Sequence, residues 1–417
     1  MNILANITRM WLTRSIKPFV FKNEYDNFLE YMDHDKLGLY VHIPFCRSIC
    51  SFCPYCKELY SEEKCEKYIY ALLKEIDIAG GRYKSKKTVT SLYFGGGTPA
   101  LAVKYLRVVI EKLNEYFEIT QGIGIELHPD DVTDETLTML KNSGITKISI
   151  GIQSFSKKYI KLLGRKAPDA EKLQKTLSGY DFETISADLI FALPSQTYVD
   201  LKEDVETAFK IGANHIAIYP FIDFTFANSG IKPMKKTEKR RLLDMITVYF
   251  NNKGCKRESI WTFSYKPNSG YSSMTRENFL GFGCSATTLL DSQFKINTFN
   301  VNEYKKRIEA GKLPTSLTLR FTRRQRMIYY LFWTAYSTKV KSKDFEDFFG
   351  TPLKKEFGFE LWLMKKCGFI TERNGIYEMT LKGAFYYHHY ENYYTLAYID
   401  KMWGIMRKCS FPDKMIL

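Results

Sequence analysis

No apolar run in these 417 residues is long enough to span a bilayer; Met327 to Trp333, among the longest, falls far short. An integral helical membrane protein is therefore not expected. Acidic residues are also few, 46 against 61 lysines and arginines, and the net charge of +15 is spread along the whole chain. Such a surface attracts anionic partners: nucleic acid, anionic lipid or a polycarboxylate. The first twenty-three residues hold no acid at all. Polar residues break their apolar stretch, which argues against a secretory signal. There is no internal repeat and no low-complexity linker. A hydrophobic content of 45% with 15% aromatics supports a sizeable core and argues against large-scale disorder.

Nine cysteines are present, an odd number, and four of them (Cys46, Cys50, Cys53, Cys56) fall within eleven residues. With no signal peptide expected, this usage favours metal over disulfides and a reducing, cytoplasmic setting. Cys46-Arg-Ser-Ile-Cys50-Ser-Phe-Cys53 is a C-x3-C-x2-C loop. Three thiolates on a short loop can hold three irons of a 4Fe-4S cube and leave the fourth open to a small molecule. Spacing alone leaves two alternatives: a zinc site that includes Cys56, and C-x-x-C redox chemistry by Cys53 and Cys56. His42 reads as a hydrogen-bonded core histidine, Cys284 as a small buried residue, and His388-His389 as a pair on a helix surface.

The length favours two domains. From Gly38 to Pro220, short apolar runs alternate with helical stretches, which predicts βαβ units and a parallel sheet. Strands are expected at 38–43, 90–94, 122–127, 147–151, 185–191 and 215–219. Six repeats are too few for a closed eight-fold barrel, so the expectation is an open, partial (β/α)6 barrel. Residues 1–37 form a helical extension whose apolar stripe (Ile3, Leu4, Ile7, Met10, Trp11) packs on the main body. The barrel occupies 38–230, an extension and linker region 231–315, and a C-terminal winged-helix-like α+β domain 316–417. That domain ends in a hairpin signal at Arg373-Asn374-Gly375. A winged shape with positive charge fits nucleic acid, but no basic recognition face is visible and no nucleic-acid partner is expected.

Further along, an ordered series of segments resembles one family. Tyr40-Val-His-Ile-Pro-Phe-Cys46 is followed by Gly95-Gly96-Gly97-Thr98-Pro99, Glu126-x-x-Pro129, Ser149-Ile-Gly-Ile-Gln153-Ser-Phe155, Leu163-Gly-Arg165, Asp188-Leu-Ile-Phe-Ala-Leu-Pro194 and Tyr219. Gly270-Tyr271-Ser-Ser and Leu280-Gly-Phe-Gly283-Cys-Ser-Ala286 come later. The series resembles the oxygen-independent coproporphyrinogen III oxidase group of radical S-adenosylmethionine (SAM) proteins. The resemblance implies a cluster on Cys46, Cys50 and Cys53. It also implies SAM contacts from Tyr40, Phe52, Gly95, Gly96, Gly97, Thr98, Glu126, Gln153, Arg165 and Asp188. It implies one SAM molecule, or two in the methyltransferases and haem-opening enzymes that share the architecture.

An anionic tetrapyrrole of porphyrin biosynthesis would be the substrate, and a flavodoxin or ferredoxin the electron donor, of a monomer. No catalytic acid or base is assigned. The chain departs from the family at Ala167, where a histidine is usual, and at Cys56, one position late. The segment from Tyr271 lacks the His-Asn pattern of the related haem chaperone, which disfavours that role. Oxidative decarboxylation of propionates is the leading expectation, methyl transfer or haem opening the next, and haem carriage the last.

Overall fold

The computed structural model describes residues 3–24, 28–227, 229–265 and 277–417. Seven parallel strands form its centre: β1 (Leu37–Ile43), β2 (Leu92–Gly96), β3 (Ile123–Leu127), β4 (Lys147–Gln153), β5 (Thr184–Phe191), β6 (His215–Pro220) and β7 (Asn278–Phe282). Strands β1 to β6 lie side by side in sequence order, and β7 pairs in parallel with the free side of β1. The strands read as apolar runs because both faces are covered; six of the seven residues of β1 are buried. Helices Glu62–Gly80, Val103–Tyr116, Asp134–Asn142, Ala170–Leu177 and Tyr198–Lys210 cross between them and press apolar stripes onto the sheet. The expected six-strand run is therefore present, with the seventh strand added by the segment after the barrel.

Two expected boundaries shift. Gly95 and Gly96 complete β2 rather than follow it, since they pair with His42 and Ile43 of β1. Likewise β4 runs on to Gln153, which pairs with Leu189 past a register shift in β5. On the far side of β7 the sheet continues antiparallel through Thr287–Leu290, Gln293–Asn297, Thr315–Arg320, Val20–Lys22 and finally Lys414–Ile416. Both ends of the chain are thus tied to the same sheet.

Residues 323–380 build the winged-helix-like unit. Helices Arg323–Tyr336, Ser342–Phe349 and Leu353–Lys366 enclose a small core of Met327, Tyr330, Phe345, Leu353, Phe357, Ile370 and Tyr377. Its three-stranded sheet pairs Ile376–Met379 with both Lys339–Lys341 and Ile370–Arg373. The Asn374-Gly375 turn has positive φ at both positions, 50° and 76°, as a two-residue hairpin requires.

Two expectations need correction. Among the described side chains of helix Ile3–Thr13 the expected stripe is not the buried face: Ile7 and Trp11 are exposed, and Arg9 and Thr13 face inward. Arg9 turns in because its guanidinium donates to the Lys17 carbonyl at 2.5 Å and lies over the Phe19 ring. His388 is not on the surface either; it is buried edge-on against Trp261 at 4.2 Å. Only its neighbour His389 reaches outward, to Lys236. The Gly270-Tyr271-Ser-Ser segment lies outside the described residues.

Candidate active site at the strand ends

The C-terminal ends of β1 to β6 share one rim, where a parallel barrel places its chemistry. After β1, Phe45-Cys46 pairs with Glu58-Leu59, so the cysteine loop leaves and returns at one edge. Burial, and then the neighbouring Cys53, push the Cys46 thiol up to about 11. Burial also raises Cys50, while the charge of Arg165 draws it back down. The three thiols therefore converge, yet they are spread wider than one ion needs. Among the described residues, only His42, Cys56 and Cys284 bring three ligand atoms within 4.8 Å of one another.

A single zinc ion held by Cys46, Cys50, Cys53 and Cys56 is thereby set aside. Cys56 turns away from the loop, and its sulfur partner is Cys284, at 3.9 Å, not Cys53. Three spread thiols on one half-buried loop suit a cube, whose irons sit at separate corners.

The remaining residues gather around this loop. A Cβ at Gly97 would lie 2.8 Å from the Cys46 sulfur, and one at Gly95 within 3.1 Å of both Tyr40 and Glu126. Any side chain there would collide with the protein's own β1 and β3 residues and the cysteine loop, so these positions need glycine. Gly96 has a φ of +126° and an amide that donates to Glu126 at 3.1 Å. Thr98 is buried, with its hydroxyl 3.9 Å from the Cys46 sulfur. Burial, and then the charge of Asp188, push Glu126 up to about 8. Asp188 is itself raised to about 6 by burial, although Ser149 and Ser186 donate to it at 2.8 and 3.1 Å.

Across the loop, Gln153 and Arg165 converge over Gly151. Arg165 is desolvated, feels the charges of Cys50, Asp130 and Cys53, and keeps a buried Nε with no hydrogen-bond partner. Tyr40 donates to or accepts from His42 Nδ1 at 3.1 Å. Phe52 sits in a small apolar cluster with Tyr159, Leu163, Ile190 and Phe221.

Several residues at the rim carry no sequence signal. Lys57 donates to the carbonyls of Cys50 and Cys53 at 3.0 and 2.7 Å and so clamps the loop. Arg47, inside the loop, pairs with Asp131 beyond β3. Arg407, on helix Asp400–Lys408, donates to the Pro54 and Tyr55 carbonyls, and Trp403 of the same helix meets the Tyr55 ring at 5.9 Å. Only the folded chain brings these distant positions together.

The site presents a cation with an unsatisfied donor on one side and two desolvated carboxyls on the other. That pattern fits the carboxylate and ammonium of an amino-acid ligand beside a cluster. Residues 40–208 match the family described as the Radical SAM superfamily. This segment is thus similar to a radical SAM domain, a class that implies a 4Fe-4S cluster and SAM.

Among the proteins the chain is similar to are oxygen-independent coproporphyrinogen III oxidases and heme chaperones. It is 24% identical to the oxygen-independent coproporphyrinogen III oxidase of Helicobacter pylori strain J99, over 85% of this chain and 86% of that one. It is 33% identical to the heme chaperone HemW of Lactococcus lactis subsp. lactis over 44% of this chain; that match spans only 48% of the relative's length. The solved coproporphyrinogen III oxidase (HemN) of Escherichia coli has the same fold, with a TM-score of 0.73 and 20% identity, over 91% of this chain and 97% of that one. No helix among the described residues is long and apolar enough to cross a membrane.

Proposed function

We propose that this chain is a radical SAM enzyme that acts on an anionic tetrapyrrole by oxidative decarboxylation of propionate side chains. The observation that carries the SAM part is the buried, unpartnered Nε of Arg165 facing Cys50, opposite Glu126 and Asp188. Cys46, Cys50 and Cys53 would hold the cluster. Together with SAM, such a cluster supplies a carbon-centred radical after one-electron reduction.

The chain's own residues do the positioning. Arg165 offers its free donor to a carboxylate. Glu126 is held near neutrality when the site is empty of cations, and an arriving ammonium favours its ionised form. Asp188, fixed by Ser149 and Ser186, offers acceptors for ribose hydroxyls. The Gly95–Gly97 ledge lets backbone groups approach without intervening side chains. Lys57 and Arg407 hold the loop by its carbonyls, which leaves the thiols free to ligate.

The substrate reading draws on the oxidase relatives and on the basic surface, which suits a polycarboxylate. Each propionate would give one hydrogen atom to the SAM-derived radical, then lose carbon dioxide and pass one electron to an external one-electron acceptor, leaving a vinyl group. Anaerobic incubation of cluster-loaded protein with SAM, reductant and coproporphyrinogen III tests this. A mass loss of two carbon dioxides and four hydrogens is expected. SAM cleavage with no carbon dioxide release contradicts the decarboxylation. A second reading, haem carriage, is favoured by the heme chaperone match; stable haem uptake without SAM turnover would support it instead.

A further inference from the structure

Behind the cluster loop lies a second set of ligating atoms. His42, Cys56 and Cys284 each place one donor within 4.8 Å of the other two, and all three are buried. They come from three separate elements: the end of β1, the return of the cysteine loop, and the turn after β7. The two sulfurs are 3.9 Å apart. Two thiolates bound tetrahedrally at about 2.3 Å to one zinc ion lie about 3.8 Å apart. Without a metal, the His42 Nε2–H donates to the Cys56 carbonyl at 3.1 Å, so ligation through Nε2 moves that proton to Nδ1. Its other nitrogen, Nδ1, meets the Tyr40 hydroxyl at 3.1 Å, the kind of outer contact that fixes the tautomer of a ligating imidazole. The Cys56 thiol donates to the Phe299 carbonyl at 3.1 Å, and it is this proton that metal uptake removes.

We propose that His42, Cys56 and Cys284 bind one zinc-type ion, separate from the cluster. Uptake replaces the two thiol protons with the ion, and His42 binds as the neutral base. Two thiolates and a dication leave a neutral centre, as burial demands. A disulfide between the cysteines would have no use for the histidine, which is why the metal is preferred. Its role is to staple the loop. Cys56 adjoins Lys57, whose ammonium grips the Cys50 and Cys53 carbonyls, so fixing Cys56 fixes the far side of the cluster loop.

The test is metal analysis of full-length protein reconstituted anaerobically with iron, sulfide and zinc, then freed of loose metal. Wild type should hold about one zinc beside about four irons. Cys56→Ser and Cys284→Ser should each lose the zinc and keep iron, while Cys46→Ala should lose iron and keep zinc. Cobalt(II) added to a Cys46→Ala, Cys50→Ala, Cys53→Ala chain gives a check that needs no change at the proposed site. A sulfur-to-cobalt charge-transfer band is expected there. Iron-loaded wild type that holds no zinc, zinc retained by both serine variants, or a cobalt protein without that band would each overturn the proposal.

Discussion

Arg165 is the residue whose environment is hardest to explain without a ligand. A guanidinium buried beside three thiols, with its Nε unpartnered, is costly unless an anion satisfies it. Arg165→Gln should weaken SAM binding by about 10- to 100-fold in cluster-loaded protein, and Arg165→Lys should recover little of it, because a point charge cannot replace the planar fork. Equilibrium binding under anaerobic conditions measures both. Glu126 makes a prediction with a definite sign. Its carboxyl rises from an ordinary 4.5 to about 8 through burial and Asp188. A raised carboxyl contributes stability that is present below the unfolded value and lost as pH climbs through the folded one. Ligand-free wild type should therefore lose stability relative to Glu126→Gln between about pH 5 and about pH 8, in paired denaturant melts. Parallel curves for the two proteins would show that Glu126 is not held neutral.

The ends of β1 and β2 set the geometry around these residues. Gly96 sits at φ +126°, and a Cβ there would meet the Ile43 carbonyl at 2.7 Å and the His42 ring at 2.8 Å. Gly96→Ala should cost at least about 2 kcal/mol in chemical denaturation, with loss of the cluster. Helix Asp400–Lys408 belongs to the same level. Its Arg407 holds the Pro54 and Tyr55 carbonyls, so Arg407→Ala should let oxygen bleach the cluster several-fold faster, with SAM cleavage retained by loaded protein.

Strands and crossover helices were legible in the sequence because burial on both faces writes long apolar runs, and turns between them are short. The cysteine loop, the glycines, Glu126 and Gln153 were legible because each stands at or near a strand end in fixed order, whereas Arg165, after helix Lys157–Leu162, and Asp188, inside β5, were legible only through the family resemblance. Lys57, Arg407, Trp403 and the turning away of Cys56 were not. Their roles depend on contacts across up to 353 positions of chain, which no local spacing records. The inward Arg9 escaped for a similar reason: helical periodicity ranks apolar residues and cannot see the carbonyls at 15–17 that draw the guanidinium in.

Across the whole molecule, one sheet joins the barrel, the antiparallel extension and both chain ends, and the last helix returns over the cluster loop. Barrel and C-terminal segment therefore act on the same site, the first by presenting thiols and carboxyls, the second by holding the loop that carries them. The proposed function puts radical chemistry at Cys46, Cys50 and Cys53. The direct measurement is anaerobic reconstitution of wild type and of the Cys46→Ala, Cys50→Ala, Cys53→Ala and Cys56→Ala variants, with iron content and 5′-deoxyadenosine formation from SAM followed together. Wild type and Cys56→Ala should hold a cluster and cleave SAM, and the other three should do neither. A Cys56→Ala protein without iron, or a Cys46→Ala, Cys50→Ala or Cys53→Ala protein that still cleaves SAM, would contradict the account.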